Sequence, residues 1–148
     1  MRISVKGRYA LAASVIVAEK TSNGGNLTVA NISNELGISK IYLEQVFTQL
    51  KKVGLVTSSK GPRGGYQLSR HPNTITVWEI LSAIETNLTE ETEKTVEANA
   101  PEMEIVMKDM VFLPLDEAIQ STLSNISLCQ LCSFEQQQKT DQSFMMGL

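Results

Sequence analysis

Between Thr28 and Tyr66 apolar residues recur at helical spacing, stop, and give way to glycine. Leu43, Val46, Phe47 and Leu50 stand at i, i+3, i+4 and i+7, so a helix from Lys40 to about Val53 carries one buried stripe. Its other side reads Lys40, Glu44, Gln45, Thr48 and Lys51, a row with nothing apolar in it. Upstream, Val29, Ile32 and Leu36 form the buried side of a shorter helix that Thr28 can cap. Gly37 can end that helix in a left-handed conformation. Two residues later Ser39 can cap the next. Helix, tight glycine-containing turn and helix make a helix-turn-helix, the unit whose second helix enters a DNA major groove.

The same patterning extends to both sides. Residues 4–20 predict a first helix, with Ser4 as its cap, Leu11, Val15 and Ala18 inward, and Lys6 and Arg8 in its first turns. Ser22 to Asn26 is a loop, because Asn and Gly tolerate positive φ. After Gly54, Leu55–Ser59 and Tyr66–Arg70 have strand-like composition and are joined by Gly61-Pro62-Arg63-Gly64-Gly65. A hairpin in that place is a wing. Its glycines, Gly64 among them, let the backbone lie close to a sugar-phosphate chain, and Lys60 and Arg63 supply positive charge. A phosphate-cradling nucleotide loop needs a helix directly after the glycines, and a strand-like run follows instead. His71 sits beside a proline at the wing's exit, a structural position. Thr76 then caps a helix over Val77 to Glu85 with Val77, Ile80, Leu81 and Ile84 inward. Trp78 is offset from that stripe and is read as an interdomain or dimer contact.

Asn87 to Ala100 is acidic and has no apolar period, so 87–101 reads as a mobile linker. From Glu102, Met103, Met107, Met110, Leu115, Ile119, Leu123 and Ile126 return at helical spacing. A helix of about 24 residues is roughly 36 Å long, and one so one-sided calls for a partner helix. Pro114 should kink or restart it. The predicted organisation is mainly α with a small β-wing. A winged helix-turn-helix domain spans 1–86, a dimerisation helix region 102–132 and a flexible Gln-rich tail 133–148.

Composition sharpens this reading. The net charge of −3 hides a split, with +7 over residues 1–72 and −10 over 73–148. A basic half facing nucleic acid and an acidic half with another task fit that asymmetry. No apolar run approaches the roughly 18 residues of a membrane span. The apolar stretch behind Arg2, Lys6 and Arg8 runs into Glu19-Lys20 without a cleavage site, so a cytoplasmic protein is expected. Cys129 and Cys132, the only cysteines, do not make a secreted disulfide framework. With one histidine and no nucleophile–base–orienter set, the chain offers no catalytic constellation.

Several stretches together resemble the Rrf-two family of bacterial winged-helix regulators, the family of IscR, NsrR and CymR. They are Ser4, Lys6-Gly7-Arg8-Tyr9-Ala10, Ile38-Ser39, Tyr42-Leu43-Glu44-Gln45, Gly54-Leu55-Val56, Ser58, Gly61-Pro62, Gly64-Gly65-Tyr66-Gln67-Leu68 and Ile75-Thr76-Val77. The stretch Leu123 to Leu131 resembles the end of the family's dimer helix. The resemblance implies a homodimeric transcriptional regulator, most often a repressor, on a two-fold operator with half-sites about 34 Å apart. It places base or backbone contacts at Ser39, Lys40, Tyr42, Glu44 and Gln45. Cluster-binding members carry three cysteines where this chain has Asn87 to Ala100 and none, so no iron–sulfur cluster and no other cofactor is expected.

Residue by residue, alternatives stay open. Ser39 can cap, contact phosphate, or both. Gln45 can pair with adenine and Glu44 can accept from cytosine N4. Tyr42 is either core or contact, and Thr48 continues the polar row. Lys6, Arg8, Lys60 and Arg63 are phosphate or minor-groove candidates, and Arg2 is another or is frayed. Cys129 and Cys132 are small packing side chains, redox thiols, or half of a zinc site shared across a dimer. Two further functions remain in view. One is an adaptor sensing a metabolic enzyme through the linker and C-terminal helix. The other is an unusual redox or iron–sulfur sensor using the two cysteines.

Overall fold

A computed structural model describes residues 3–147, so the candidate at Arg2 lies outside the described residues. The helix-turn-helix forms where the caps and stripes put it. Helix α1 (Val5–Lys20) begins at Ser4, whose hydroxyl accepts the Gly7 N–H at 3.0 Å. Helix α2 (Val29–Leu36) is capped by Thr28 and ends at Gly37, with φ +67°. Helix α3 (Lys40–Lys52) is capped by Ser39. Strands β1 (Val56–Ser59) and β2 (Gly65–Leu68) pair antiparallel, from Val56 opposite Leu68 to Ser59 opposite Gly65. Helix α4 (Val77–Ile84) follows a full capping box between Thr76 and Glu79. The architecture is mainly helical with a two-stranded wing.

The core gathers on the inner side of α3. Ile32, Leu43, Val46, Phe47 and Leu50 are fully buried, as are Ala10, Ala13 and Val17 of α1. Each buried Leu, Ile or Phe contributes about 1.5–3 kcal/mol relative to exposure. Helix α1 departs from its expected single stripe. Leu11 and Val15 are only half-buried, while Ala10, Ala13, Ser14, Ile16, Val17 and Ala18 are buried. The reason is position: α1 packs against α2, α3, α4 and α7, so it has no single inner face. Its N-terminus is pinned to α4 by the buried Glu85, which accepts the Ser4 N–H at 2.8 Å and the Ser4 hydroxyl. Gly7 leaves room for that carboxylate, because a Cβ there would collide with Glu85 Oε1.

The C-terminal third corrects the sequence reading at its tail. Helix α5 (Pro101–Met107) passes through a π-helical turn, Lys108–Phe112, into α6 (Leu113–Ser124). Pro114 leaves the chain helical, and the irregularity expected there takes the form of that π-helical turn. Lacking an N–H, it cannot serve the Met110 carbonyl. The turn before it widens, and the Leu113 N–H reaches back to the Lys108 carbonyl. Within the region expected at 102–132, the long helix ends at Ser124. Residues Ile126 to Leu128 instead pair with Ile75 to Val77, through Val77 N–H to Ile126 O at 2.9 Å and Leu128 N–H to Ile75 O at 2.8 Å. Helix α7 (Leu128–Met146) then starts at a Ser127–Gln130 capping box. The tail at 133–148, expected to be loose, is helical through Met146. Glutamine is a good helix former, and Leu128, Leu131 and Cys132 dock this helix on the core.

Residues 89–100 hold only turns, and most of their side chains are exposed. These residues are tied to α5 by the Val96 N–H, which donates to the Glu104 carboxylate at 2.8 Å, and by the Ala100 carbonyl, which accepts the Met103 and Glu104 N–H groups at 3.1 and 3.2 Å. Among the described residues no helix is long and apolar enough to cross a membrane.

One backbone contact ties the wing to the rest. Leu27 and Tyr66 exchange N–H to O bonds of 2.9 and 2.8 Å, so the residue before α2 acts as a third strand. Gly65 has φ +139°, and a Cβ there would lie 2.7 Å from the Leu27 carbonyl oxygen. Gly24 has φ +89° but nothing within 4 Å. We therefore expect Gly65→Ala to cost at least about 2 kcal/mol and Gly24→Ala about 1 kcal/mol. Thermal melts should show several degrees lost for the first and clearly less for the second. Equal losses would contradict the Leu27–Tyr66 constraint.

Candidate nucleic-acid interface

Helix α3 turns its buried stripe inward and leaves Ser39, Lys40, Tyr42, Glu44, Gln45 and Thr48 exposed on the outside. Two of them are partly committed. The Ser39 hydroxyl accepts the Tyr42 N–H at 3.3 Å, and the Thr48 hydroxyl donates to the Glu44 carbonyl at 2.7 Å. Ser39 therefore caps, with its O–H still able to donate outward. Tyr42 is 49% exposed and rests edge-on against Tyr9, with centroids 5.8 Å apart at 75°. That contact sets the first turns of α1 beside the first turn of α3. Arg8 is exposed there and Lys6 half-buried. The sequence reading missed Tyr9, since nothing local in its surroundings signals a partner 33 positions away.

The wing is held to α3 by side chains as well as backbone. Phe47, from the buried stripe of α3, stacks on Tyr66 of β2 with centroids 4.4 Å apart and 19° between planes. Lys51 Nζ donates to Ser58 Oγ at 2.6 Å, joining α3 to β1. Asn26 Nδ2 donates to the Arg63 carbonyl at 3.0 Å, joining the loop before α2 to the wing tip. Lys60 and Arg63 are exposed at that tip. Gly64 also serves the hairpin itself. Its N–H is taken by the Gly61 carbonyl at 2.9 Å, so it is not free for a phosphate. A Cβ at Gly64 would collide with the Ser59 carbonyl, so its part is to let the hairpin close.

Charge is sorted to the same side. The ion pairs among the described residues are Lys20–Glu35, Arg70–Glu79 and Lys139–Glu135. None includes Lys6, Arg8, Lys40, Lys60 or Arg63. Arg70 is spent internally, bonded to the Thr74 carbonyl as well as to Glu79. His71 is structural, with Nδ1 accepting the Asn73 N–H at 3.1 Å. Unpaired cations at the start of α3 and at the wing tip suit a polyanion.

Comparison with known proteins gives one consistent answer. Residues 3–133 match the Rrf2 family, described as an iron-dependent transcriptional regulator. The chain is 38% identical over 131 residues to the ORF2 protein of Azotobacter vinelandii, named as an HTH-type transcriptional regulator; the match covers 88% of this chain and 79% of that one. It is 47% identical over 85 residues to the HTH-type transcriptional regulator IscR of Escherichia coli. That match covers 57% of this chain and spans about half of IscR, 52%. Among solved structures, the global cysteine regulator CymR of B. subtilis superposes with TM-score 0.71 at 29% identity, over 90% of this chain and 98% of that one. IscR of T. potens superposes with TM-score 0.69 at 28% identity, over 91% and 88%. These relatives are regulators, not enzymes.

The iron in the family description can be tested against the donors present. The linker offers carboxylates and no thiol. Among the described residues no group of three or more His, Cys, Asp or Glu side chains is placed to hold a metal ion. The two sulfurs lie in the first two turns of α7, on half-buried residues. The Cys132 thiol faces the Val15 carbonyl at 3.8 Å. Burial first, then the neighbouring Glu19, Cys129 and Glu135, raise its pKa from 9.0 to about 11. A thiol held neutral is a poor nucleophile. The residues do not fit a cluster.

That shift has a sign. The folded protein favours the protonated thiol, so its contribution to stability is complete below pH 9 and is lost as pH rises toward about 11. We expect iodoacetamide at pH 8 to modify Cys132 much more slowly in the native protein than in urea, read by peptide mass mapping. Equal rates in the two states would overturn this account of Cys132.

Proposed function

Because the chain belongs to the Rrf2 family of transcriptional regulators, we propose that it acts as a homodimer on a two-fold operator. Helix α3 lies in the major groove and the wing lies on the flanking backbone. The observation that carries this reading is the exposed row on α3 backed by a fully buried stripe and flanked by unpaired cations. Gln45 is suited to adenine N6 and N7, and Glu44 to cytosine N4. Lys6, Arg8, Lys40, Lys60 and Arg63 neutralise phosphates and supply most of the affinity.

Pairing of two copies rests on α5, the π turn and α6. Met103, Val106, Met110 and Leu113 recur every three or four residues and are 55%, 50%, 75% and 42% exposed. Ile105, Val111, Phe112 and Leu115 are exposed around them. A contiguous apolar surface of this kind marks an interface. A two-fold axis lets one patch cover its own copy, and the same axis generates a palindromic site. We assign repression as the sign of control, because a dimer seated across an operator excludes other proteins from it. The linker's lack of thiols favours regulation without an iron–sulfur cluster. A protein partner bound to the exposed acidic linker would act on this same dimer. Co-purification with and without operator separates that input from DNA binding alone.

Selection of bound DNA from a random pool tests the reading and supplies the operator. On that operator, Arg63→Ala should weaken binding to all sequences and reduce the salt slope by about 1. Gln45→Ala should relax preference at one position per half-site by about 1–3 kcal/mol. Met110→Glu should leave a folded monomer by sedimentation that binds the full operator far more weakly. Unchanged affinity in the first two variants would contradict the DNA-reading surface, and a Met110→Glu dimer would contradict the interface.

A further inference from the structure

The outer face of α3 is not wholly polar. Ile41, the second residue of the helix, is 70% exposed, whereas Leu43, Val46, Phe47 and Leu50 of the same helix are fully buried. The periodicity that marks the buried stripe skips Ile41, so it contributes nothing to the core. The end of α3 that carries it is the end a recognition helix presents to base edges. Gln45 follows one turn later, and residues at i and i+4 lie one above the other on a helix face. Lys40 and Glu44 flank the pair. A β-branched aliphatic side chain among charged neighbours has no hydrogen bond to offer. The major groove offers it one apolar partner, the C5 methyl of thymine.

We infer that Ile41 is a specificity-determining residue that reads a thymine methyl next to the base read by Gln45. The inference rests on α3 being the groove-reading helix. Four residues of helix rise about 6 Å, against about 3.4 Å per base step. Ile41 and Gln45 therefore address base pairs one or two steps apart. The methyl is sensed through its burial, and the burial of one CH₂-sized group is worth about fourfold in affinity.

The test uses the full-length protein and its selected operator. Each thymine of one half-site is replaced in turn by deoxyuridine, which removes the methyl and leaves every hydrogen-bonding group. One position should lose about fourfold in affinity. Ile41→Ala should bind the unmodified operator about fourfold more weakly and be indifferent to thymine or uracil at that position. Ile41 is exposed, so an unchanged melting temperature is expected and is checked in parallel. The inference is overturned if no thymine responds, or if Ile41→Ala still senses the methyl. Gln45→Ala separates that failure from a wider one. If it relaxes base preference while the uracil scan is flat, α3 reads the groove and Ile41 does not read thymine. If neither variant alters binding, the reading of α3 itself fails.

Discussion

The Phe47–Tyr66 stack is the contact on which the DNA-facing surface depends. Phe47 belongs to the buried stripe of α3 and Tyr66 to the second strand of the wing. Their rings lie nearly parallel with centroids 4.4 Å apart. Tyr66 also shares two backbone hydrogen bonds with Leu27, just before α2. One residue thus joins wing, recognition helix and helix-turn-helix entry. A hairpin of two four-residue strands has little stability alone, so its aim comes from these attachments. A wing aimed by packing holds Lys60 and Arg63 at a fixed offset from Gln45, and under the proposed function that offset would set register on DNA.

Much of this was legible in the chain because its signals are local. Ser4, Thr28, Ser39 and Thr76 cap the helices they precede, each through a hydroxyl to an N–H three residues on. Leu43, Val46, Phe47 and Leu50 are buried as their spacing requires. What escaped was non-local or mixed in signal. Helix α1 is surrounded, so its alanines carry no stripe that a period can detect. The Leu27–Tyr66 pairing and the Tyr9–Tyr42 contact join positions 39 and 33 apart in the chain. Helix α7 hid behind Gln-rich composition, although Ser127 and Gln130 carried a capping-box signature. Ile41 was obscured because the polar row around it was counted without it.

The two halves of the molecule obey different constraints. The N-terminal half buries most of its apolar residues within one chain, Ile41 being an exception, and presents exposed cations to solvent. Helices α5 and α6 leave apolar residues exposed on the single chain, the surface on which the proposed pairing rests. The turn between Asn125 and Leu128 closes the circuit, pairing the end of α6 with the start of α4. The end of α6 is therefore joined by a short covalent and hydrogen-bonded route to α4, and through Glu85 to the start of α1. Cys132 packs under α1, with its thiol facing the Val15 carbonyl.

The most direct measurement is a double-mutant cycle on operator affinity between Tyr66→Leu, which keeps an apolar side chain but removes the stack, and Arg63→Ala. If the stack aims the wing, Arg63→Ala costs clearly less in the Tyr66→Leu background than in the native protein, a coupling of at least about 0.5 kcal/mol. Strictly additive losses would show that the wing finds the DNA backbone without being held by α3.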